Sequence, residues 1–156
     1  MSSEILGSRL EGSKLVVETA DGPETYDKQF LVAAFLIRVA RGSGQIEPEE
    51  SSQIIDLIES HFHLEGAKSL ELITRAISEM AEKPTLFELL LDLAPTLSDS
   101  EKENIALMGL KVVAADGHRE VSEMEQFNES MESMGISPEI VHQAFDRYFA
   151  QTMPGN

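Results

Sequence analysis

The sequence predicts an all-α fold of about seven helices, with two repeated helix-turn-helix units related by a pseudo-twofold axis and a flexible N-terminal arm ahead of them. Three observations predict it. Residues 33–60 slide onto residues 106–133 without a gap, at an offset of 73 residues, so that Ala33, Val39, Gly44, Glu47, Glu50, Gln53, Glu59 and Ser60 meet identical partners. Phe35 over Met108, Ile37 over Leu110, Ile54 over Phe127 and Ile58 over Met131 keep the apolar positions between them apolar, as a duplicated structural unit requires. From about Asp27 onward apolar residues recur at helical spacing, and Pro, Gly and Ser/Thr-x-x-Glu signals punctuate them with no convincing core strand between.

Residues 1–25 differ from the rest. Gly7, Gly12, Gly22 and Pro23 break up a polar stretch whose longest apolar cluster is Leu15-Val16-Val17. This reads as an extended or mobile arm, since one short hairpin is marginal by itself. Residues 26–150 form the helical domain, and 151–156 a tail.

Phe30, Leu31, Ala34, Leu36 and Ile37 make the first helix apolar nearly all round, the pattern of a buried central helix, and Gly42 and Gly44 end it. Pro48 opens the second helix, in whose first turn a missing N–H costs nothing, and Ile54, Ile55 and Ile58 give it a buried stripe. A third helix spans roughly 68–82 with Leu70, Ile73, Ile77 and Met80 on one face, and Pro84 stops it. Thr85 with Glu88 forms a capping box for a short apolar helix through Leu93, closed by Pro95. Ser98 with Glu101 opens the helix that runs to about Ala115, Ser122 with Glu125 opens the next, and Ser137-Pro138-Glu139 opens the last.

Composition restricts the function. The 156 residues suffice for one domain with a sizeable core. The chain contains no Cys, which removes disulfide and thiolate chemistry and favours a reducing compartment. No apolar run reaches the roughly 18 residues of a membrane span, and the start lacks a basic stretch joined to an apolar one, so direct membrane insertion is not expected and a cytoplasmic location is. A formal net charge of −16 repels a phosphate backbone, which argues against nucleic acid, and attracts a basic protein surface or a divalent cation.

The repeated feature beyond the core is an acidic turn. In the second unit Asp116-Gly117 leads to Glu120, Glu123 and Glu125, and in the first Ser43-Gly44 leads to Glu47 and Glu50. An EF-hand is rejected residue by residue: with Gly117 at loop position 6, Asp116 and Glu123 fit positions 5 and 12. Positions 1 and 3, however, are Val112 and Ala114, and in the first unit Val39 and Arg41, where Ca²⁺ needs oxygen. Two uses of the acids stay open. Carboxylates in a helix's first turn offset the dipole and unpaired N–H groups by about 0.3–1 kcal/mol each, so they serve as caps. Asp116, Glu120 and Glu123 also form a looser set that a divalent cation or a partner could use.

Other motifs fall away. Glu139-x-x-His142 has the spacing of half a di-iron site, but none of His61, His63 and His118 has a Glu three residues before it. His61 and His63 mark a helix end, where a partly cationic imidazole is welcome. Met108, Met131 and Met134 sit at core-like spacing. No nucleophile elbow, dinucleotide fingerprint or phosphate loop is present, so no enzymatic activity is expected and no cofactor beyond the alternative divalent cation.

Val113-Ala114-Ala115-Asp116-Gly117, followed by Glu120, Glu123 and Glu125, resembles the signature of the tellurite-resistance TerB-like family, and the resemblance covers about residues 26–150. It implies a seven-helix fold with internal pseudo-symmetry. It also implies a non-enzymatic role in a bacterial stress or tellurite response, through partner proteins or a membrane-associated assembly. The second unit is the better match, because Ser43 replaces the aspartate in the first. The sequence therefore predicts a binding module whose acidic face, centred on Asp116, Glu120, Glu123 and Glu125 with Glu47 and Glu50 as the weaker counterpart, docks a basic partner. The alternative is a divalent cation at Asp116, Glu120 and Glu123.

Overall fold

Phe30 through Ile37 leave no polar side for water, and the helix they form, α1 (Lys28–Ala40), runs through the middle of the molecule with Phe30–Ile37, Val39 and Ala40 all buried. The computed structural model describes residues 5–41, 48–114 and 121–152, the side chains at 48–50, 121–123 and 152 excepted. Asp27 starts α1 by accepting a hydrogen bond from the Phe30 N–H at 3.1 Å. Around α1 stand α2 (Pro48–Phe62), α3 (Gly66–Glu82), the short α4 (Leu86–Leu90), α5 (Asp99–Val113) and α6 (Val121–Ser133). The last helix, α7 (Pro138–Thr152), packs on α5, a second buried axis whose Ile105–Leu110, Val112 and Val113 are shielded from solvent.

Seven α-helices among the described residues bear out the mainly helical expectation. The Ser98 cap is present as a full reciprocal box: Ser98 Oγ accepts from the Glu101 N–H at 3.1 Å, and the Glu101 carboxylate accepts from the Ser98 N–H at 2.9 Å. Those bonds also hold the Glu101 carboxyl below its ordinary value, against the effect of burial. Ser137 accepts from the Ile140 N–H at 3.3 Å at the start of α7.

The strictly all-α expectation is corrected. Three strands, β1 (Ile5–Glu11), β2 (Lys14–Thr19) and β3 (Gly22–Tyr26), form an antiparallel sheet in the order β1-β2-β3 where an arm was expected. Glu11 pairs with Lys14 across a two-residue turn in which Gly12 takes φ 65°. At the next turn Thr19 Oγ1 donates to the Gly22 carbonyl at 2.6 Å. A lone hairpin would be marginal, but this meander has a third strand and lies on the helices: Leu15 and Val17 are fully buried and Tyr26 is 1% exposed. The readable signal was the alternation Leu15, Val17, Thr19, which places one face of β2 inward.

Three local expectations are also corrected. On α3 the buried stripe is Ser69, Ile73 and Ala76, continuing to Glu79 and Lys83, whereas Leu70 and Ile77 are exposed. The inward positions at this end of the helix are taken by Glu79 and Lys83, which meet Glu24 and Tyr26 of β3. Thr85 makes no side-chain cap, and the helix after it tightens at Leu91 into a 3₁₀ segment, Leu91–Thr96, that contains Pro95. Pro95 has no N–H to give to an i−4 carbonyl, so the chain changes its pitch ahead of it. Ser122 lies inside the first turn of α6, which begins at Val121. The proposed stops Gly42 and Gly44 lie outside the described residues.

Two helix ends are closed by left-handed residues. Gly135 at φ 68° lets the Ile136 N–H reach the Met131 carbonyl at 2.9 Å after α6. After α2, His63 adopts φ 55° and the Leu64 N–H reaches the Glu59 carbonyl at 3.1 Å. An L-residue with a Cβ pays for that conformation, so His63→Gly is expected to raise stability by about 0.5 kcal/mol, roughly 1–2 °C in melting temperature. A lower melting temperature in calorimetry would contradict this account of the cap.

Candidate functional site

The acidic turn links the two helices that its sequence pattern requires. Asp116 and Glu120, with Glu47 in the first unit, lie outside the described residues. Glu123 and Glu50 belong to the first turns of α6 and α2, and the structure describes their backbone alone. Glu125 is exposed on α6.

Glu125 does not stand alone. Glu129 and Glu132, four and seven residues further on, are also exposed, and positions at this spacing share a helix face. The helix contains no Lys or Arg. An acidic stripe thus runs along α6 from Glu125 to Glu132. The sequence reading stopped at Glu125, although the same one-sided spacing continues in Glu-x-x-x-Glu-x-x-Glu.

Beside the stripe lies a groove of about 730 Å³ between α6 and α7. Asn128, Met131 and Glu132 line it from α6, Gly135–Ser137 close one end, and Val141, His142 and Phe145 line it from α7. Met131 and Ile136 are buried, and they flank the Gly135 cap as the apolar pair that such a helix end brings together. The sequence reading missed this groove. Its only local signal was Val141 and Phe145, a four-residue spacing on the last helix.

At the Glu139-x-x-His142 pattern of α7, His142 Nε2 lies 3.6 Å from Asp146 Oδ2, and both side chains are largely exposed. Among the described residues no three His, Cys, Asp or Glu side chains gather as a metal ion would need. A hollow of about 210 Å³ between α2, α5 and α7 collects His61, Lys111 and Arg147. Arg147 is already held there by Glu103 Oε2 and Asn104 Oδ1, each at 2.8 Å. His61 stands in the last turn of α2 as expected, and burial holds its imidazole below the ordinary value against the opposing pull of Glu101.

A second polar cluster joins the sheet to α3. The Tyr26 hydroxyl lies 2.7 Å from Glu24 Oε2 and 2.5 Å from Glu79 Oε1. Lys83, whose side chain is 1% exposed, donates to the same two carboxylates at 3.2 and 3.0 Å. Arg75 pairs with Glu79 at 2.6 Å and spreads its guanidinium over the Tyr26 and Phe30 rings. Pro84 disfavours helical backbone at Lys83, which sits at φ −123° and ψ 83°. Burial and both carboxylates push the Tyr26 hydroxyl far above its ordinary value, so it stays protonated. This cluster fastens the sheet to the helices.

No helix among the described residues is long and apolar enough to cross a membrane. No curated protein and no solved structure matches the chain significantly. Residues 29–146, from the start of α1 to the middle of α7, match the family model described as tellurite resistance protein TerB, and the chain belongs to the TerB family.

Proposed function

We propose that the protein is a non-enzymatic, cytoplasmic TerB-type binding module that docks a basic protein surface through the acidic turn at Asp116, Glu120 and Glu123 and the α6 stripe that continues from it. The observation that carries this reading is the stripe itself: Glu125, Glu129 and Glu132 are exposed on one face of a helix without a cation, in a chain of net charge −16. Such a surface speeds encounter with a basic partner and discriminates against acidic ones. It is a poor direct ligand for an oxyanion, so any part in a tellurite response runs through the partner.

A pseudo-twofold arrangement of the two units fits this reading and is supported by reciprocal packing, with α1 against α6 and α5 against α2. Lys28 and Glu101, separated by the repeat offset, pair at 3.5 Å. Glu47 and Glu50 then occupy the equivalent end of the first unit, with Ser43 weakening its charge.

The test is an Asp116→Asn, Glu120→Gln, Glu123→Gln variant, compared with the unaltered protein as bait at equal melting temperature. Proteins held by the parent are expected to be lost by the variant and eluted by about 0.5 M salt, since screening at that strength acts within a few ångströms. Retention by the variant sinks the reading. Elution by chelator rather than by salt transfers the acids to the alternative, a divalent cation held by Asp116, Glu120 and Glu123.

A further inference from the structure

The groove exists because α6 and α7 are each held by α5 and scarcely touch one another among the described residues. α6 places Phe127, fully buried, against the core, and α7 places Ala144, equally buried, on the other side. The Gly135 turn joins them at one end and sets them apart. Between them the apolar floor of Met131, Ile136, Val141 and Phe145 continues toward the start of α6, where Phe145 and Tyr148 meet Met124 and the Leu110–Val113 end of α5. Phe145 thus lines both the groove and the small apolar hollow beside the start of α6.

The rim is of one sign. Asn128 and Glu132 line the groove from α6, and the exposed Glu125 and Glu129 lie within two turns of Glu132 at spacings that share its helix face. From α7 His142 lines the groove, and Glu139 and Asp146 are exposed on the same helix. No Lys or Arg lines the groove, and Arg147, the one cation of α7, is turned away to Glu103 and Asn104. An apolar trough between acidic edges complements one kind of partner element.

We propose that the α6–α7 groove receives an amphipathic helix of a partner protein, its apolar residues at i, i+4 and i+7 on the Met131, Ile136, Val141 and Phe145 floor and its Lys or Arg flanks against Glu125, Glu129, Glu132 and Asp146. This rests on the docking reading above and adds to it the apolar contact and the shape of the partner. A 13-residue α6 is about 20 Å long, so three to four turns of a guest helix lie along it. A second copy of this chain is the poorer occupant, because it brings the same net charge of −16. An anionic lipid surface is disfavoured for the same reason.

The experiment uses the full chain and three synthetic 16-residue peptides, read by fluorescence anisotropy. One has Leu at helical spacing and Lys flanks, one is its scramble with Leu distributed all round, and one carries Glu in place of Lys. The Lys-flanked amphipathic peptide is expected to bind saturably and the scramble at least about tenfold more weakly, the difference being apolar contact. Asn128→Phe, at an exposed position on the groove's edge, is expected to cover the apolar floor and weaken the amphipathic peptide about tenfold without lowering the melting temperature. Glu125→Gln, Glu129→Gln, Glu132→Gln together are expected to do the same and to flatten the salt dependence.

Equal binding of peptide and scramble overturns the groove while leaving acidic docking standing. Equal binding of the Glu- and Lys-flanked peptides overturns both. No saturable binding of any peptide overturns the groove, as does a concentration-dependent dimer in sedimentation that Asn128→Phe abolishes, which assigns the groove to a second copy.

Discussion

Replacing Lys83 with alanine is expected to cost about 3 kcal/mol, a fall of roughly 6–12 °C in melting temperature, although the substitution touches no part of the candidate site. Lys83 is the buried cation between two carboxylates, and its removal leaves Glu24 and Glu79 facing each other with Tyr26 between them. The cost stays at the lower end for a broken buried pair because Glu24 is 38% exposed and water reaches that side. A Lys83→Met, Glu79→Gln double variant, which removes both charges, is expected to recover part of the loss. A fall of less than about 2 °C in Lys83→Ala would show that the cluster does not fasten the sheet.

The same cluster sets the response to pH. Burial pushes the Glu79 carboxyl up, but hydrogen bonding among Glu24, Tyr26 and Lys83 and the Arg75 charge outweigh burial and bring it to about 2. A carboxyl depressed from 4.5 contributes stability that is fully present above 4.5 and is lost as pH falls from there toward about 2. The loss amounts to about 2 kcal/mol once screening through the exposed Glu24 side is allowed for. Lys83 works in the other direction. Burial alone would lower its ammonium value, yet the Glu79 and Glu24 carboxylates raise it above 10.5, so its contribution holds below 10.5 and fades as pH rises beyond it. In acid titrations Lys83→Ala is therefore expected to lose less stability between pH 4.5 and 2 than the parent.

Gly109→Val is expected to be as severe, about 3 kcal/mol, and Gly109→Ala milder at about 1–2 kcal/mol because alanine regains helix propensity. A Cβ at this position would lie 2.7 Å from Phe35 Cζ and 2.9 Å from two ring carbons of Phe127. Both rings are fully buried, with centroids 6.4 Å apart, so neither can swing into solvent. The absence of a side chain at Gly109 of α5 thus makes room for the Phe35 ring of α1 and the Phe127 ring of α6. Phe127→Leu in the Gly109→Ala background is expected to cost less than in the parent, and additive losses in denaturant melts would contradict the contact.

What the sequence made legible was local. Ser98 with Glu101 and Ser137 ahead of α7 could be read because a cap is completed within four residues. The central character of α1 could be read because no face of it is polar. The sheet was signalled only by the alternation of Leu15, Val17 and Thr19; that it is core could not be read, since Leu15, Val17 and Tyr26 are covered by helices distant in sequence. The rotation of α3 was equally hidden: Ile77 and Leu70 look like core by spacing, whereas the inward positions include Glu79 and Lys83, whose partners on β3 are distant in sequence. At the candidate site the acids were legible as a repeated pattern. The groove beside them was not, because it arises from how two helices rest on a third.

The most direct test of partner docking is a map of amide chemical shifts in chelator-treated protein, recorded while a Lys-rich amphipathic peptide or Ca²⁺, Mg²⁺ or Zn²⁺ is added at low and near-physiological salt. The account predicts saturable peptide-induced shifts along residues 114–145, weakened by salt and indifferent to chelator, with only diffuse, salt-sensitive shifts from the cations. Saturable cation shifts confined to residues 114–125 at physiological salt, without a response to the peptide, would contradict it and make Asp116, Glu120 and Glu123 metal ligands.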